Sequence, residues 1–411
     1  MAKASRRRNK RNKNKINNPN QVDGATREAP EKKGDVAVLP RFSNNYFFFC
    51  TAFLYESIRA RLSAIQKILG FLLALYGFYA LTFFSWYKPP LVTLFGAEDM
   101  YVFGDSTVAA GSHDFTPYPY GIDLKTTGKY TIPLINNSTG RFSNGFTIAD
   151  YLAITLKLPI PQAYNTSVKL AGGVNFASAG CGLLNSTKPP FDWVQCSSIS
   201  DQTREMLYGP KKWDSNAKFD RALFLISVGG NDLMFSLRGK DPTLFAGEMG
   251  SLMTDFLKAL YQKVGARKFL VNNVGPVGCI PNNRDRKGVE KRCNETLNIA
   301  AVKYNQVLNA LLIDFVKEFK DSTVVVADSN RLFTRILDDP PFHDFTNARD
   351  ECCGNWTEFM KMYACNNQSK LCSQDERKSF LFFDGAHTTD AANRYFVDKC
   401  ASLKICALVE V

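Results

Sequence analysis

A serine hydroxyl becomes a nucleophile when an imidazole can take its proton and a carboxylate can hold that imidazole in place. The chain offers few groups for these roles. It contains 3 histidines. His113 sits in a polar stretch, His343 in Pro-Pro-Phe-His-Asp-Phe, and His387 in Phe-Phe-Asp-Gly-Ala-His. In the last, Asp384 stands three positions before His387. On a tight loop that spacing lets a carboxylate accept the Nδ1 proton while Nε2 faces a serine. The matching serine is Ser106, where the apolar run Tyr101-Val102-Phe103 breaks into Gly104-Asp105-Ser106. A second apolar run ends in Ser-Val-Gly-Gly-Asn-Asp, which offers the Asn231 side-chain amide, with Asp232 beside it read as structural. A nucleophile, a base, its orienter and an amide donor are the parts of acyl transfer.

These groups need a scaffold that brings distant residues to one edge. Short apolar runs bounded by Gly, Asp or Pro at 99–106, 172–180, 221–232, 267–276 and 322–329 predict five strands. Helical spacing of apolar residues appears at Phe146–Leu156, Leu252–Val264, Glu295–Phe319 and Asp390–Leu403. Alternating strands and helices predict a three-layer α/β/α fold with a five-stranded parallel sheet. Ligands bind such sheets at the carboxyl ends of the strands. Ser106, Ser178-Ala179-Gly180 and Gly229-Gly230-Asn231 would all lie there. The stretches 107–145 and 339–380 read as surface insertions, the second stapled by cysteine.

Taken together the motifs resemble the plant GDSL-type esterases/lipases of the SGNH hydrolase superfamily. Val-Phe-Gly-Asp-Ser (102–106), Thr-Gly-Arg-Phe-Ser-Asn-Gly (139–145), Val-Asn-Phe-Ala-Ser-Ala-Gly (174–180), Ser-Val-Gly-Gly-Asn-Asp (227–232) and Phe-Phe-Asp-Gly-Ala-His (382–387) occur in the family's order. The resemblance covers about residues 96–405. It implies a flavodoxin-like α/β/α hydrolase domain that cleaves carboxylic esters through an acyl-enzyme. Ser106 would be the nucleophile, His387 the base and then the acid, and Asp384 its orienter. Asn231 would donate to the oxyanion together with the Ser106 amide and one glycine amide. Gly180 is the choice, since it follows a strand; Gly145 is the alternative. No metal and no organic cofactor is implied. Acyl lipids, cutin-like polyesters and O-acetylated polysaccharides are the candidate substrates. An acyltransferase would use the same triad, and a silent binding protein could keep the fold. The chain departs from the family in having Phe383 where tryptophan is common and Thr388 where proline is usual.

Charge and cysteine place the domain in a cell. The net charge is +12, which raises the question of nucleic acid. Residues 1–67 hold 15 of the 51 basic and 5 of the 39 acidic residues, so the remaining 344 carry only +2. Basicity therefore belongs to an N-terminal segment, read as a disordered tail over 1–67, and the body has no charge for nucleic acid. Residues 68–87 are twenty without a charge, enough to span a bilayer. They predict an uncleaved signal-anchor with a cytosolic N-terminus, a cleaved signal peptide being the rival. Of 11 cysteines, ten follow residue 180, an even set that suits disulfides. The spacings Cys279/Cys293 and Cys365/Cys372 would close short loops. The glycosylation acceptors Asn136, Asn137, Asn165, Asn185, Asn294, Asn355 and Asn367 all follow the apolar span. The expected location is the secretory pathway, with the catalytic domain lumenal or extracellular.

Overall fold

The computed structural model describes residues 45–86, 90–111, 140–164, 172–189, 196–209, 217–285, 291–357, 362–365, 369, 371–373 and 375–410. The chain divides into two compact units, Met1–Thr82 and Phe83–Val411. The first is described by α1, one continuous helix from Asn45 to Trp86. Residues 45–67, expected to be disordered, are therefore helical. Between Asn45 and Lys67 there is neither Gly nor Pro, and Ala, Leu, Ile, Arg and Gln supply good helix formers. Among its described side chains Leu62, Leu69, Leu73, Tyr76 and Phe78 are all more than half exposed. The described part of this helix, Leu54–Tyr79, contains an 18-residue window of mean hydropathy 1.4, long and apolar enough to cross a membrane.

The second unit runs α2 (Pro90–Phe95), β1 (Met100–Gly104), α3 (Ile148–Leu156), β2 (Gln162–Ala163), β3 (Val174–Asn175), α4 (Ile199–Tyr208), β4 (Leu223–Ser227), α5 (Pro242–Ala259), β5 (Lys268–Asn272), α6 (Glu295–Glu318), β6 (Thr323–Ala327) and α7 (Ser329–Asp338). It continues through β7 (Asn347–Glu351), β8 (Asn355–Thr357), β9 (Met362–Ala364), β10 (Phe380–Phe382), α8 (Asp390–Ala401) and β11 (Cys406–Leu408). Seven strands form the main sheet in the order β11-β6-β5-β4-β1-β3-β2. All pairs are parallel except β11, which runs antiparallel to β6. The five expected strands are present, β3 being only two residues long, and β2 and β11 extend the sheet at its edges. The β11 segment follows a helix directly and is three residues long, too short for a periodicity to show. The Cys400–Cys406 disulfide ties it to α8.

Strand residues alternate between two buried faces. Tyr101, Phe103, Phe224, Ile226, Phe269, Val271, Val324 and Val326 pack against α4, α5 and α6. Met100, Val102, Leu223, Leu225, Leu270, Val325 and Ala327 pack against α2, α3, α7 and α8. A strand buried on both faces reads as an unbroken apolar run, which is how these strands look in sequence. Helix starts are locally encoded. Thr147 and Asp150 form a capping box on α3, and Asp241 caps α5 with Pro242 in its first turn.

Residues Gly104, Ser227, Asn272 and Ala327 stand in one register row across β1, β4, β5 and β6. This row is the carboxyl edge of the sheet. Gly104 has φ of +147°, and a Cβ there would lie 2.1 Å from the Ser227 carbonyl oxygen. Only glycine lets β1 turn out at this point.

The 339–380 insertion contains β7, β8 and β9 and is cross-linked as expected, by Cys352–Cys372 and Cys353–Cys365. Cys279–Cys293 closes its loop, but Cys365 and Cys372 do not pair with each other. Adjacent Cys352 and Cys353 follow β7, and each takes a separate partner. Of the glycosylation acceptors, Asn185 and Asn294 are exposed, Asn294 as the N-cap of α6. Asn355 lies in β8, and Asn136, Asn137, Asn165 and Asn367 lie outside the described residues.

Candidate active site

The residues singled out by chemistry meet at the carboxyl edge. Beyond Gly104 the chain turns, and Ser106 stands over the end of β1. The His387 Nε2 is 2.8 Å from the Ser106 Oγ. On its other side the His387 Nδ1 is 2.8 Å from both Asp384 oxygens. Asp384 is itself fixed by the loop it belongs to, since its Oδ1 accepts from the Ala386 and His387 amides. Backbone bonds between Phe383 N and the His387 carbonyl close that loop on β10. With Nδ1–H committed to the carboxylate, Nε2 carries the lone pair facing the serine. The ring of Phe142 lies 4.9 Å from the imidazole and covers it. Arg141, next to Phe142, is locked by a buried two-pronged pair to Asp150 at 2.8 and 2.7 Å.

Asp105 turns away from the serine. Its carboxylate accepts the Thr107 amide at 3.0 Å and the Thr107 hydroxyl at 2.7 Å. Burial holds this carboxyl above the usual range, and the two Thr107 bonds oppose that shift.

Gly180 and Asn231 line the same cavity as Ser106 and His387, a space of about 590 Å³. Gly180 has φ of +82°, which turns the chain just after the 174–179 segment. The Asn231 Nδ2 donates to the Cys181 carbonyl at 2.9 Å. One N–H of that amide thus positions the Gly180 loop, and the second is left for the cavity. Gly145 is not among the lining residues. A Cβ on it would sit 2.1 Å from Asp390 Oδ1, and that oxygen already accepts from the Phe146 amide. Its glycine is demanded by the α8 start, not by the cavity.

Two further side chains hold this edge together, Gln202, which the sequence hid, and Asp232, read from sequence as structural. Gln202 on α4 is buried and pairs with both backbone groups of Gly104, accepting from its N–H at 2.9 Å and donating to its carbonyl at 2.8 Å. Nothing in a helix pattern distinguishes such a glutamine from an exposed one. Asp232 is fully buried and accepts from Leu183 N, Leu184 N and the Thr187 hydroxyl. It clamps the loop that follows Gly180, which Cys181–Cys196 also ties. The other histidines are elsewhere: His343 bonds Tyr395 at 2.7 Å, and His113 lies outside the described residues.

Burial pushes the Asp232 carboxyl up to about 6 from 3.8, against the pull of its three donors. The folded chain then holds the proton more tightly than the unfolded one. Its stabilising effect is full below pH 4 and is lost as pH rises through 6. Asp232→Asn should cost about 1–3 kcal/mol at low pH, because an amide –NH₂ must face donors. The gap to wild type should narrow by on the order of 3 kcal/mol between pH 4 and pH 7. Urea unfolding of both proteins at the two pH values measures it; a gap that widens with pH contradicts the assignment.

A Ser-His-Asp row at the carboxyl edge of a parallel α/β sheet is the arrangement that serine-type ester hydrolysis requires. Residues 100–400 match the GDSL-like lipase/acylhydrolase family, and the chain belongs to that family. The protein is therefore a carboxylic ester hydrolase. Among curated relatives, one Arabidopsis thaliana GDSL esterase/lipase is 31% identical over 331 residues, covering 72% of this chain and 82% of its own. Another, the Arabidopsis thaliana GDSL esterase/lipase LTL1, is 31% identical over 360 residues, covering 80% and 91%. The solved phospholipase A1 of Streptomyces albidoflavus NA297 covers 75% of this chain at 13% identity, with a TM-score of 0.37. The disulfides and the N-terminal apolar helix fit the secretory pathway.

Proposed function

We propose that the protein cleaves esters by a two-step acyl transfer through Ser106. His387 Nε2 takes the hydroxyl proton as Oγ bonds to the ester carbonyl carbon. The carbonyl electron pair moves to the oxygen, which becomes the oxyanion. Donors for it are the Ser106 amide, the Gly180 amide and the second Nδ2 proton of Asn231. The imidazolium is held by Asp384 and gives its proton to the leaving alkoxide as the ester C–O bond breaks. Water then attacks the acyl-Ser106 ester with His387 again as base, releasing the acid. The observation that carries this reading is the unbroken row Asp384–His387–Ser106 with 2.8 Å contacts on both ring nitrogens. Met234, Phe235, Val274, Val277, Phe333 and other apolar side chains wall the cavity, which suits an acyl chain. A fluorophosphonate probe should label Ser106, as peptide mapping would show, and Ser106→Ala should abolish labelling. Labelling at another serine would redirect the assignment.

The apolar part of α1 is proposed to be an uncleaved membrane anchor, with the basic segment cytosolic and the hydrolase lumenal. Ten cysteines all in disulfides support an oxidising compartment for the hydrolase. Expressed in a eukaryotic cell, the full chain should carry N-glycans and stay with membranes through a carbonate wash. A soluble product beginning near residue 90 would mean that the segment is cleaved.

A further inference from the structure

Behind the reacting edge a ring of hydrogen bonds closes on one buried amide. The Gly104 carbonyl accepts from the Gln202 Nε2 at 2.8 Å and from the Ser178 amide at 2.9 Å. The Ser178 Oγ accepts from the Ser197 amide at 2.9 Å. The Ser197 carbonyl in turn accepts from the Gln202 Nε2, also at 2.9 Å. The Gln202 Oε1 accepts from the Gly104 N–H at 2.9 Å. The two carbonyls and the one N–H fix which way this amide faces. The ladder between β1 and β3 ends at Asn175, and beyond it a side-chain amide meets the Gly104 N–H in place of a strand carbonyl.

The members of the ring sit directly before the groups that would react. Gly104 precedes Ser106 by two positions, and Ser178 precedes Gly180 by two. Ser197 follows Cys196, whose disulfide to Cys181 ties the other side of Gly180. Gln202 and Ser178 are both buried. Gln202 stands in the first turn of α4, whose start is fixed by the capping box of Ser198 and Asp201. One rigidly held amide therefore spans the turn that bears the serine and the loop that bears the glycine. Gln202 is not among the residues that line the cavity. It can act on the reaction only through the backbone it holds.

We propose that Gln202 is a positioning residue, which sets the separation between the Ser106 Oγ and the Gly180 amide and thereby acts on the acyl-transfer step. This rests on the reading of Ser106 as nucleophile and of Gly180 as an oxyanion donor. The transition state needs both groups at fixed distances from one carbonyl, and a displacement of about 1 Å can cost on the order of 10²-fold in rate. Ground-state binding against the cavity wall does not depend on that separation, so the effect belongs to kcat and not to KM.

Two substitutions in the full-length protein test this, with steady-state kinetics on p-nitrophenyl esters and melting profiles. Gln202→Met removes the donors and the acceptor together. It should lower kcat about 10- to 100-fold per folded molecule, with KM within about threefold of wild type. Gln202→Glu keeps the shape and makes the donor titratable. Its protonated form returns one O–H to the ring, whereas its ionised form turns a carboxylate on two carbonyl oxygens. The ratio of Gln202→Glu to wild-type kcat, taken at each pH so that the titration of His387 cancels, should fall roughly tenfold between about pH 5 and about pH 9. A side chain that only stabilises the fold would lower the melting temperature and leave that ratio flat. A folded Gln202→Met enzyme with wild-type kcat, or a ratio flat in pH, overturns the proposal. If Gln202→Met does not fold, the ratio for Gln202→Glu decides alone. Ser106→Ala is measured alongside. Turnover retained there overturns the triad reading, whereas an inactive Ser106→Ala beside a Gln202→Met of wild-type speed overturns only the role of Gln202.

Discussion

Ser106→Ala is expected to lose roughly 10⁴- to 10⁶-fold in kcat on any ester the protein cleaves, and His387→Ala a similar factor. The double variant should lose little more. The two side chains share one proton across a 2.8 Å contact, so removing either removes the same step. What remains would come from the oxyanion donors and from substrate binding. Ser106 is only 9% exposed, and among the described residues its side chain hydrogen-bonds His387. Alanine there should leave the melting temperature close to wild type, which separates loss of chemistry from loss of fold. Steady-state kinetics with p-nitrophenyl esters, alongside melting profiles, gives both readings. A folded Ser106→Ala protein within tenfold of wild-type turnover would remove the serine from the mechanism.

Asn231→Ala should lower kcat about 10²- to 10³-fold, about 2.7–4 kcal/mol, with KM changed much less. The charge on the former carbonyl oxygen exists only past the ground state, so a donor aimed at it acts mainly on kcat. The bond from Asn231 to the Cys181 carbonyl adds a second consequence. Without it the loop carrying Gly180 loses one of its ties, although Asp232 and Cys181–Cys196 still hold it. Asn231→Asp tests the difference. It keeps the size of the side chain but replaces the donor with a carboxylate, which would repel the oxyanion, and it should be at least as slow as alanine. An Asn231→Asp enzyme with near wild-type kcat would reduce Asn231 to a loop tie.

The sequence by itself determined the family and the architecture, and it named the candidate site residues. Ser106, Asn231, Asp384 and His387 were legible because each ends or follows an apolar run, and a buried run has only one place to show polar groups, its end. The three-layer fold was legible because strands buried on both faces must be apolar throughout, while their helices keep a period near four. The body's near neutrality and its late cysteines followed from counting alone. Tertiary structure decided what depends on partners far along the chain. Gln202 lies 98 residues from the Gly104 backbone it braces, and Asp232 lies 48 and 49 residues from the amides it clamps. It also placed Gly180 on the cavity wall and set Gly145 against Asp390, away from the lining. The same holds for the cysteine pairing, which joins Cys352 to Cys372 and Cys353 to Cys365. Local patterns record what each segment does with its own backbone and its own faces. Contacts between segments leave no period in the sequence, because they are fixed only when the sheet brings its strand ends together.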